Sequence, residues 1–496
     1  MKRLSFIICQ LSFSVALVAF AACSSSDDSI AEEPTPAQPA NGKYTLTVNA
    51  SKGDNAMTRA LSLNGSTLNA TWAEGEKVYV YPAQEIGDGI YGQGSPSPIC
   101  ELEATNVSGE NCTLTGNIDP TKIGESRKLF LQYRGSSSEG LGTQDGTLQT
   151  IANYFDRAYA VVTVSNIGTS TVTTDDATFV NQQAIVKFTL KDKSDQAITP
   201  TSVTIKVTAG NSASSPITLE GDGLSSTYES DGGFYFAFSQ NTADSFSGDI
   251  TINATTAGGD YIYEKESVTF EPGKYYAITV KMSKLFTCSS SNWSSQVAAF
   301  NDETTDNPTL LFTDNISNDL ESFVITRSDG VIDLNGKSLK SIFISNDEAG
   351  KSITLKNGTV IGEGAPYNNA IDGKGGWTDF FKGTVILENL TVQHGIYIDG
   401  HEYIINSGSY NEEIYNVTKD GYPGKLIING GKFLRSIHGE HTGVTGVTYG
   451  SYELRGGKYA VKPQDSWCAS GYSVKSNTDD DKTTYPWVVS EGNITQ

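Results

Sequence analysis

The four histidines of this 496-residue chain, His394, His401, His438 and His441, fall within 48 residues of one another. A neutral imidazole is a common metal ligand, and in the segment IHGEH two of these histidines could share a face with Glu440. The HExxH and HxH spacings that mark many metal centres are both absent. We therefore predict no metal site, and we expect histidines that face solvent or contact a ligand.

Acidic residues in the same region raise the question of glycan hydrolysis, which needs two carboxylates flanking the scissile bond. Asp399, Glu402, Glu412 and Glu413 are numerous enough, but they do not match the paired-Asp, GHG and RIK elements of polygalacturonases. The glycine-rich segment GDGIYGQG (87–94) is not followed by a helical pattern, as a phosphate-binding loop would be. The sequence therefore predicts no catalytic residue and no cofactor, and we expect that the chain is not an enzyme.

Aromatic residues in two insertions suit binding better than catalysis. The insertion GEGAPYNNAIDGKGGWTDFFKG (362–383) contains Tyr367, Trp377 and Phe380, and the stretch from 394 to 422 adds Tyr397 and Tyr410. Flat rings beside amide and carboxylate groups suit the faces and hydroxyls of sugars, and they equally suit protein partners. We predict these five residues as ligand contacts. The alternative is that part of them only pack the insertions onto their domain.

The cysteines predict one disulfide. Cys100 and Cys112 lie in ICELEATNVSGENCTLTG, a pattern typical of two strands about a turn, and a register centred on Asn106 would place them within disulfide reach. Cys288 and Cys468 lie near the two ends of the last predicted domain, and their pairing stays open. CxxC and CxxH spacings are absent, so a structural zinc is not expected.

The first 22 residues, MKRLSFIICQLSFSVALVAFAA, are typical of a secretory signal because a basic start precedes an apolar stretch and small residues. The junction Ala21-Ala22-Cys23 resembles a bacterial lipobox, which implies that Cys23 becomes the lipidated first residue. The following SSSDD resembles the surface-export signal of Bacteroidota lipoproteins. An ordinary secreted protein cut after Ala22 is the alternative.

Charge and composition restrict the partners. The formal charge is −22, which argues against nucleic acid because phosphate binding needs clustered Lys and Arg. Without the signal the chain carries 33 basic and 57 acidic residues and is repelled by anionic lipid. We therefore expect the acyl group on Cys23 to hold the protein at the cell outer membrane. Residues 23–42, rich in Ser, Pro and acidic side chains, predict a disordered tether.

From Lys43 to about Met282 the chain alternates apolar with polar residues in short segments separated by Gly, Asn, Asp and Ser. This pattern predicts an all-β fold with two antiparallel β-sandwiches, at 43–165 and 166–285. The segments TRALSLNGSTLNATWAEGEKVYVY (58–81), FVNQQAIVKFTLKD (179–192) and FEPGKYYAITVKM (270–282) resemble the fimbrillin family of Bacteroidota, the lipoprotein precursors of surface fimbriae.

This resemblance implies transthyretin-like sandwiches and assembly into a fimbrium. Family members are often cut by a surface protease after an Arg, and Arg59 followed by Ala60 matches that position. Removal of the first strand then opens a groove that another fimbrial subunit fills by strand donation. The alternative is that Arg59 is an ordinary loop residue of a monomeric relative.

Residues 286–496 contain six related octets, each with apolar residues at positions one, three and eight, and five of them have Gly at position five or six. The octets are IDLNGKSL (332–339), ITLKNGTV (353–360), VILENLTV (385–392), YIINSGSY (403–410), LIINGGKF (426–433) and YELRGGKY (452–459). Such repeats predict a parallel β-helix, with NWSSQVAAFNDE (292–303) as a capping helix and DSWCASGYSV (465–474) closing the other end. The domain resembles the right-handed β-helix of pectate-lyase-like proteins and surface adhesins. A third antiparallel sandwich is the alternative.

Together these patterns predict a surface lipoprotein that acts as a tip or accessory fimbrial subunit and binds a host or bacterial glycan or protein through residues 286–496. One alternative is a glycan-binding or glycan-degrading surface protein outside fimbriae, which loss of polysaccharide viscosity would reveal. The other is a fimbrial anchor whose last domain is only a spacer, so that deleting 286–496 would leave adhesion intact.

Overall fold

Strands make up most of the part of the chain that the structure describes, at 57% against 9% helix, which confirms the all-β prediction. The computed structural model describes residues 42–52, 62–64, 67–69, 71–87, 89–133, 144–155, 157–209, 212–213, 217–239, 246–317, 323–345, 348–362, 369–372, 383–399, 402–419, 422–437 and 450–492. None of the described helices combines the length and apolar character needed to span a membrane.

The first domain is a sheet that closes on itself. The strands of this domain are β1 (Tyr44–Lys52), β2 (Ser62–Asn64), β3 (Thr67–Asn69), β4 (Lys77–Gly87), β5 (Ile90–Gln93), β6 (Cys100–Ser108), β7 (Asn111–Ile118), β8 (Lys128–Tyr133), β9 (Ala158–Ile167), β10 (Thr171–Thr174) and β11 (Ala177–Asn181). Strands β2 and β3 pair with each other in a separate two-stranded sheet. A short helix α1 (Leu148–Thr150), a π-helical turn (Ile151–Phe155) and a 3-10 turn (Pro120–Lys122) lie between strands.

Strand β1 closes this sheet because it is hydrogen-bonded along both edges. One edge pairs antiparallel with β7 over eight residues, and the other pairs parallel with β10 and then β11. The circuit continues through β6, β4, β8 and β9. The prediction of an open antiparallel sandwich is therefore wrong for this domain, because alternation shows which face is buried but not which strands pair.

The boundary between the first two domains lies at residue 182 rather than at 165. Strands β9, β10 and β11 pair with the first sheet, and β12 begins the second domain immediately afterwards. The predicted boundary at 165 falls within β9, close to the short turn that joins β9 to β10. A turn within a domain and a linker between domains share the same polar composition, so composition alone placed the boundary too early.

The second domain is a sandwich of two sheets, but one sheet contains a parallel strand pair, so the prediction of an antiparallel sandwich is wrong for that sheet. Its elements are β12 (Gln183–Asp192), β13 (Ser202–Ala209), β14 (Ser212–Ala213), β15 (Ile217–Glu220), α2 (Asp222–Asp231), β16 (Phe234–Ser239), β17 (Phe246–Thr256), β18 (Gly259–Phe270) and β19 (Tyr275–Cys288). One sheet has the order β16-β12-β19 and the other β15-β13-β17-β18. The core between them includes Phe188, Phe236, Phe238 and Phe270.

Hydrogen bonds and a small apolar core join the first two domains. Gln144 donates to the backbone oxygen of Ala237 at 3.1 Å and accepts from the amide of the same residue at 2.8 Å. The amide of Tyr235 donates to the carbonyl of Gly146 at 2.8 Å. Ile151 and Ile185 pack with these residues in one buried cluster. The contact is therefore made by packed side chains and backbone hydrogen bonds together.

The third domain begins with α3 (Trp293–Asp302) and continues almost entirely as short strands. They are β20 (Thr309–Phe312), β21 (Val324–Ile325), β22 (Gly330–Asp333), β23 (Ser338–Leu339), β24 (Ile342–Ile344), β25 (Ser352–Val360), β26 (Asn369–Asp372), β27 (Thr384–Val392), β28 (Gly395–Asp399), β29 (Glu402–Ile405), β30 (Gly408–Tyr410), β31 (Ile414–Lys419), β32 (Tyr422–Pro423), β33 (Lys425–Ile428), β34 (Lys432–Phe433), β35 (Ser451–Leu454), β36 (Lys458–Tyr459), β37 (Tyr472–Ser476) and β38 (Trp487–Glu491), with a 3-10 turn at Asp465–Trp467.

These strands form two parallel sheets whose members alternate along the chain. The octet sheet contains β20, β22, β23, β25, β27, β29, β30 and β33 to β36. The return sheet contains β21, β24, β26, β28 and β31. Because successive repeats pair in parallel, the alternative of a third antiparallel sandwich is wrong for this segment.

Octets two to six stack in the register that their sequences predict. Position one runs through Ile353, Val385, Tyr403, Leu426 and Tyr452, and each of these residues is the direct partner of the next. The first octet is in register only at its end, where Leu339 faces Val360, because two extra residues lie at its corner. In all six octets the side chains at positions three and eight are buried.

Asparagine, glycine or both occupy the corner in the middle of each octet. Asn335, Asn357 and Asn389 adopt positive φ, a conformation that Asn tolerates better than most residues. The side-chain amide of Asn389 donates to Asn357 at 3.1 Å, and Asn429 donates to Asn406 at 2.9 Å. These amide ladders satisfy polar groups where the strand bends.

Both ends of the stack are covered, as predicted. Helix α3 buries Val297 and Phe300. Trp293 stacks on Phe323, which lies just before β21, with the ring centroids 5.8 Å apart. At the other end β37 and β38 form an antiparallel hairpin that pairs with β36, and Trp467 stacks on Tyr452 at 4.3 Å. The parallel edges are therefore not left open at either end.

Strand β19 belongs to two domains at once. Residues 275–282 pair with β12 of the second domain, and residues 285–288 pair with β20, the first strand of the octet sheet. Lys356 of β25 also forms an ion pair with Glu264 of β18 at 2.9 Å. The predicted boundary at 285 therefore falls within a continuous strand, and the second and third domains share it without a linker.

We expect Phe433→Ala to lower the free energy of unfolding of the third domain by about 3–5 kcal/mol, because the ring stacks between Tyr410 and Tyr459 at 5.0 Å on each side. Denaturant unfolding followed by tryptophan fluorescence measures this, since Trp467 and Trp487 pack against the same core. The neighbouring Leu434→Ala is the control, because Leu434 is 39% exposed and should change stability by less than about 1 kcal/mol. Equal effects of the two substitutions would contradict the stack.

Candidate functional site

Several predicted site residues lie outside the described part of the chain. They are the lipidation residue Cys23, the processing residues Arg59 and Ala60, the ligand candidates Tyr367, Trp377 and Phe380, and the histidines His401, His438 and His441. The predictions for these residues stay predictions.

Tyr410 is a core residue, and its prediction as a ligand contact is wrong. It occupies position eight of the fourth octet, is 2% exposed and stacks on Phe433 with the two rings 10° from parallel. Its hydroxyl donates to the carbonyl of Ser407 at 3.0 Å. Burial raises the pKa of this phenol well above its ordinary value. Position eight is inward in every octet, so the repeat itself held the information that this tyrosine is buried.

Tyr397 lies on the outer surface of the return sheet and remains a candidate. Its neighbours in β28, Ile396 and Ile398, are buried at 1% and 0% exposure, so the alternation turns Tyr397 away from the core. Tyr397 pairs in register with Tyr415 of β31, and the ring centroids are 6.3 Å apart. Phe343 of β24 is outward by the same alternation. We call Phe343, Tyr397 and Tyr415 the tyrosine face.

Charged groups border the tyrosine face. The hydroxyl of Tyr415 donates to Glu413 Oε2 at 2.7 Å, and Arg435 lies 4.0 Å from Glu412. Burial, together with the neighbouring Glu413 carboxylate, raises the pKa of Tyr415 to about 12, so its hydroxyl stays protonated at neutral pH. Half-buried rings beside fixed hydrogen-bonding groups are the combination found in many sites for sugars and peptides.

In the sequence, the aromatic-rich insertion 362–383 surrounds one strand of the return sheet. Strand β26, which pairs with β28 in the return sheet, divides the aromatic-rich insertion 362–383 into two parts in the sequence. Within an octet, by contrast, only a short corner separates the two strands, as between β29 and β30.

A concave region lies on the octet sheet and has a volume of about 460 Å³. It is lined by Gly408, Ser409, Gly431, Lys432, Gly457, Lys458 and Val488. Asp481 neutralises both lysines, at 3.0 Å from Lys432 and 2.9 Å from Lys458, and Asp479 lies 2.8 Å from Lys458. Hydrogen bonds from Lys458, Lys432 and Asn477 lower the pKa of Asp481 well below its ordinary value. No local pattern pairs these groups, since Asp481 ends an acidic run, 479–481, of the kind that is typical of solvated loops.

Metal-binding groups do not converge within the described residues. No three His, Cys, Asp or Glu side chains there are placed to hold one ion. His394, the described histidine, packs over Gly362, where an added Cβ would lie 2.4 Å from the Cβ of His394. Of the acidic candidates, Glu402 forms an ion pair with Lys425 at 2.8 Å, and Glu413 is held by Tyr415.

Cys100 and Cys112 are both free thiols, so the predicted disulfide is wrong. The turn between β6 and β7 is centred on Gly109 and Glu110 rather than on Asn106, because Ser108 pairs with Asn111 and an irregularity absorbs the residues before it. Cys100 consequently pairs with Val80, and Cys112 pairs with Ala50. Cys288 and Cys468 are also free, and they lie beside the first and last strands of the octet sheet.

Comparison with known proteins gives resemblances at the level of solved structures. No family model matches the chain, and no curated protein matches it. Two similar structures, from Bacteroides ovatus and Bacteroides uniformis, are each described as a "putative cell adhesion protein"; they are 13% and 15% identical, cover 48% and 49% of this chain and 94% and 98% of their own, and have TM-scores of 0.28 and 0.27. A fimbrial assembly protein from Parabacteroides distasonis is 11% identical over 48% of this chain and 90% of its own, with a TM-score of 0.21. These TM-scores are too low for the likenesses to carry an argument about function.

We expect the folded chain from Ser24 onward to yield four thiols on denaturation without reductant. In the native protein at pH 8 they should react slowly with a disulfide reagent, because burial raises the pKa of Cys100, Cys112 and Cys288 to about 12. Cys112→Ser should lower the count by one. A count of two would show one disulfide among the four cysteines, and a rise to three in Cys112→Ser would show that Cys112 belongs to it.

Proposed function

We propose that this chain is a surface lipoprotein of the fimbrillin type that acts as an adhesin, binding a surface glycan or protein through its third domain. The observation that carries this proposal is the tyrosine face. Tyr397 and Tyr415 stand side by side on the outside of the return sheet. No bond is made or broken in this function, and we propose that the chain is not an enzyme.

The joints between domains support presentation of a ligand site at the end of a stalk. β19 runs without a break from the second domain into the octet sheet, and Gln144 and Gly146 bind the edge strand β16 across the first joint. Shared strands and edge pairing resist bending more than a flexible linker does. Such joints hold the third domain in a fixed position relative to the first domain.

We further propose that the third domain is a right-handed parallel β-helix. Alternation of strands between two parallel sheets is the connectivity that this fold requires, and nearly all parallel crossovers are right-handed. The amide ladders at Asn357 and Asn389 and the stacked rings of Tyr410 and Phe433 are what in-register coils produce.

The first domain supports the proposal of strand donation by another fimbrial subunit. β1 lies before Arg59 in the chain and is paired on both edges, so a cut after Arg59 would detach the strand that closes the sheet. Its inward residues Leu46, Val48 and Ala50 are at most 4% exposed, and their loss would leave an apolar groove between two unpaired strand edges. A strand from another subunit would restore both ladders.

We expect Tyr397→Ala and Tyr415→Ala each to weaken binding to target cells or immobilised glycans by about tenfold or more, because each removes an aromatic contact from the face. Binding of the purified chain to glycan arrays and to bacterial and host cell surfaces measures this. Tyr154→Ala is the matched control, since Tyr154 is 49% exposed in the first domain and far in sequence from the face.

If both variants bind as well as the unsubstituted chain while deletion of the third domain abolishes binding, the ligand site lies elsewhere in that domain. If deletion from residue 289 onward also leaves adhesion intact, the anchor function with a spacer domain replaces the adhesin. Loss of polysaccharide viscosity on adding the chain would instead establish a glycan-degrading protein.

We expect the membrane form of the protein to be acylated at Cys23 and the form in sheared surface filaments to begin at Ala60. N-terminal sequencing and lipid analysis of the two fractions from native cells measure this, with Cys23→Ser and Arg59→Ala strains as controls. A protein found only in the membrane fraction and still acylated would remove polymerisation from the proposal and leave a free-standing adhesin or an anchor.

A further inference from the structure

Strand β1 ends in a buried charge. Lys52 is inward-facing in the same alternation as the apolar residues of the strand, and its side chain is 1% exposed. Its ammonium group lies 3.3 Å from Glu76 Oε2, whose side chain is 2% exposed, and it donates to the carbonyl of Thr71 at 3.1 Å. The same group lies 3.9 Å from the ring centroid of Trp72.

The carboxylate of this ion pair, Glu76, is held by residues outside β1. Glu76 accepts from the hydroxyl of Tyr133 at 2.9 Å and from the amide of Ala73 at 3.2 Å, and Trp72 packs edge-on against Tyr133 and Phe179. None of these groups lies on β1. If β1 leaves, the carboxylate and its hydrogen-bond donors remain, while the cation that balances the carboxylate departs.

A buried carboxylate without its cation is far less favourable than the intact pair. The apolar part of the groove accepts many alternating strands, because most strands offer apolar residues at every second position. The charge at one end separates these candidates, because only a strand with a cation at the next inward position neutralises Glu76. Charge complementarity of this kind contributes to specificity by penalising the wrong partner.

We propose that the place of β1 is a strand-acceptor site whose selectivity is set by Glu76, and that the donor strand from the neighbouring subunit carries a Lys or Arg two residues after its third inward apolar residue. This inference rests on the strand donation proposed above and identifies the chemistry of the donor. β1 itself has this pattern, with Leu46, Val48 and Ala50 followed by Lys52.

The site can be tested on the folded chain from Ser24 onward with a recognition sequence for a site-specific protease inserted after Arg59. After cleavage, a fluorescent peptide of residues 43–53 is added under mildly destabilising conditions, and its incorporation is measured. Two peptides are compared with it. One has Lys52→Met, and the other has the paired exchange Ser51→Lys, Lys52→Ser, which keeps the composition and charge but moves the cation to the outer face.

We expect the unsubstituted peptide to be incorporated at least about tenfold more tightly than either variant, and we expect Glu76→Gln in the acceptor to abolish this preference. Equal incorporation of all three peptides would overturn the inference. So would incorporation of the exchanged peptide as tight as that of the unsubstituted one, since general attraction to an acidic protein would then explain binding.

Failure of every peptide to enter, including the unsubstituted one, would also overturn the inference, because the place of β1 would then not be refillable. A preference that persists in Glu76→Gln would assign selectivity to another group. Because the cut is engineered, these results are independent of processing in cells. If the protein on cells is never cut at Arg59, the proposed assembly into fimbriae is wrong. The selectivity measured with the peptides is unchanged by that result.

Discussion

In-register stacking of parallel strands is the constraint on which the third domain depends. Each inward residue must lie directly beside the equivalent residue of the neighbouring octet. One octet position therefore forms one column of the core. Position eight shows the consequence, because Tyr410, Phe433 and Tyr459 meet as parallel rings at 5.0 Å spacings. A shift of one residue would turn the whole column outward and expose it to water.

This constraint also determines where a ligand can bind. Columns that face inward are unavailable, and the corners of the octets are occupied by Asn ladders and by glycines that approach backbone closely. Gly358 illustrates this, since an added Cβ would lie 2.5 Å from the carbonyl oxygen of Lys337. The outer surface of the return sheet stays accessible, and there Tyr397 and Tyr415 pair across neighbouring strands. The core that makes Tyr410 structural is thus the reason that Tyr397 is accessible.

The first domain uses pairing differently. Its sheet closes only because β1 satisfies two strand edges, and the strand ends with a cation buried against Glu76. A strand held this way contributes hydrogen bonds, apolar burial and charge neutralisation together, and all three are lost if it is removed. We propose that the same dependence lets the domain accept another strand and discriminate among candidates by charge.

The sequence alone determined the features that depend on residues close in the chain: the all-β fold, the inward positions of the octets, the capping helix at 293–302 and the parallel stack that their repetition implies. Alternation has a period of two and therefore reports which face of a strand is buried. Only the tertiary structure decided which strands pair: the closure through β1, the turn that separates Cys100 from Cys112, and the burial of Lys52 against a residue 24 positions away. Those outcomes depend on contacts between segments distant in sequence, and no local pattern of residue types encodes them.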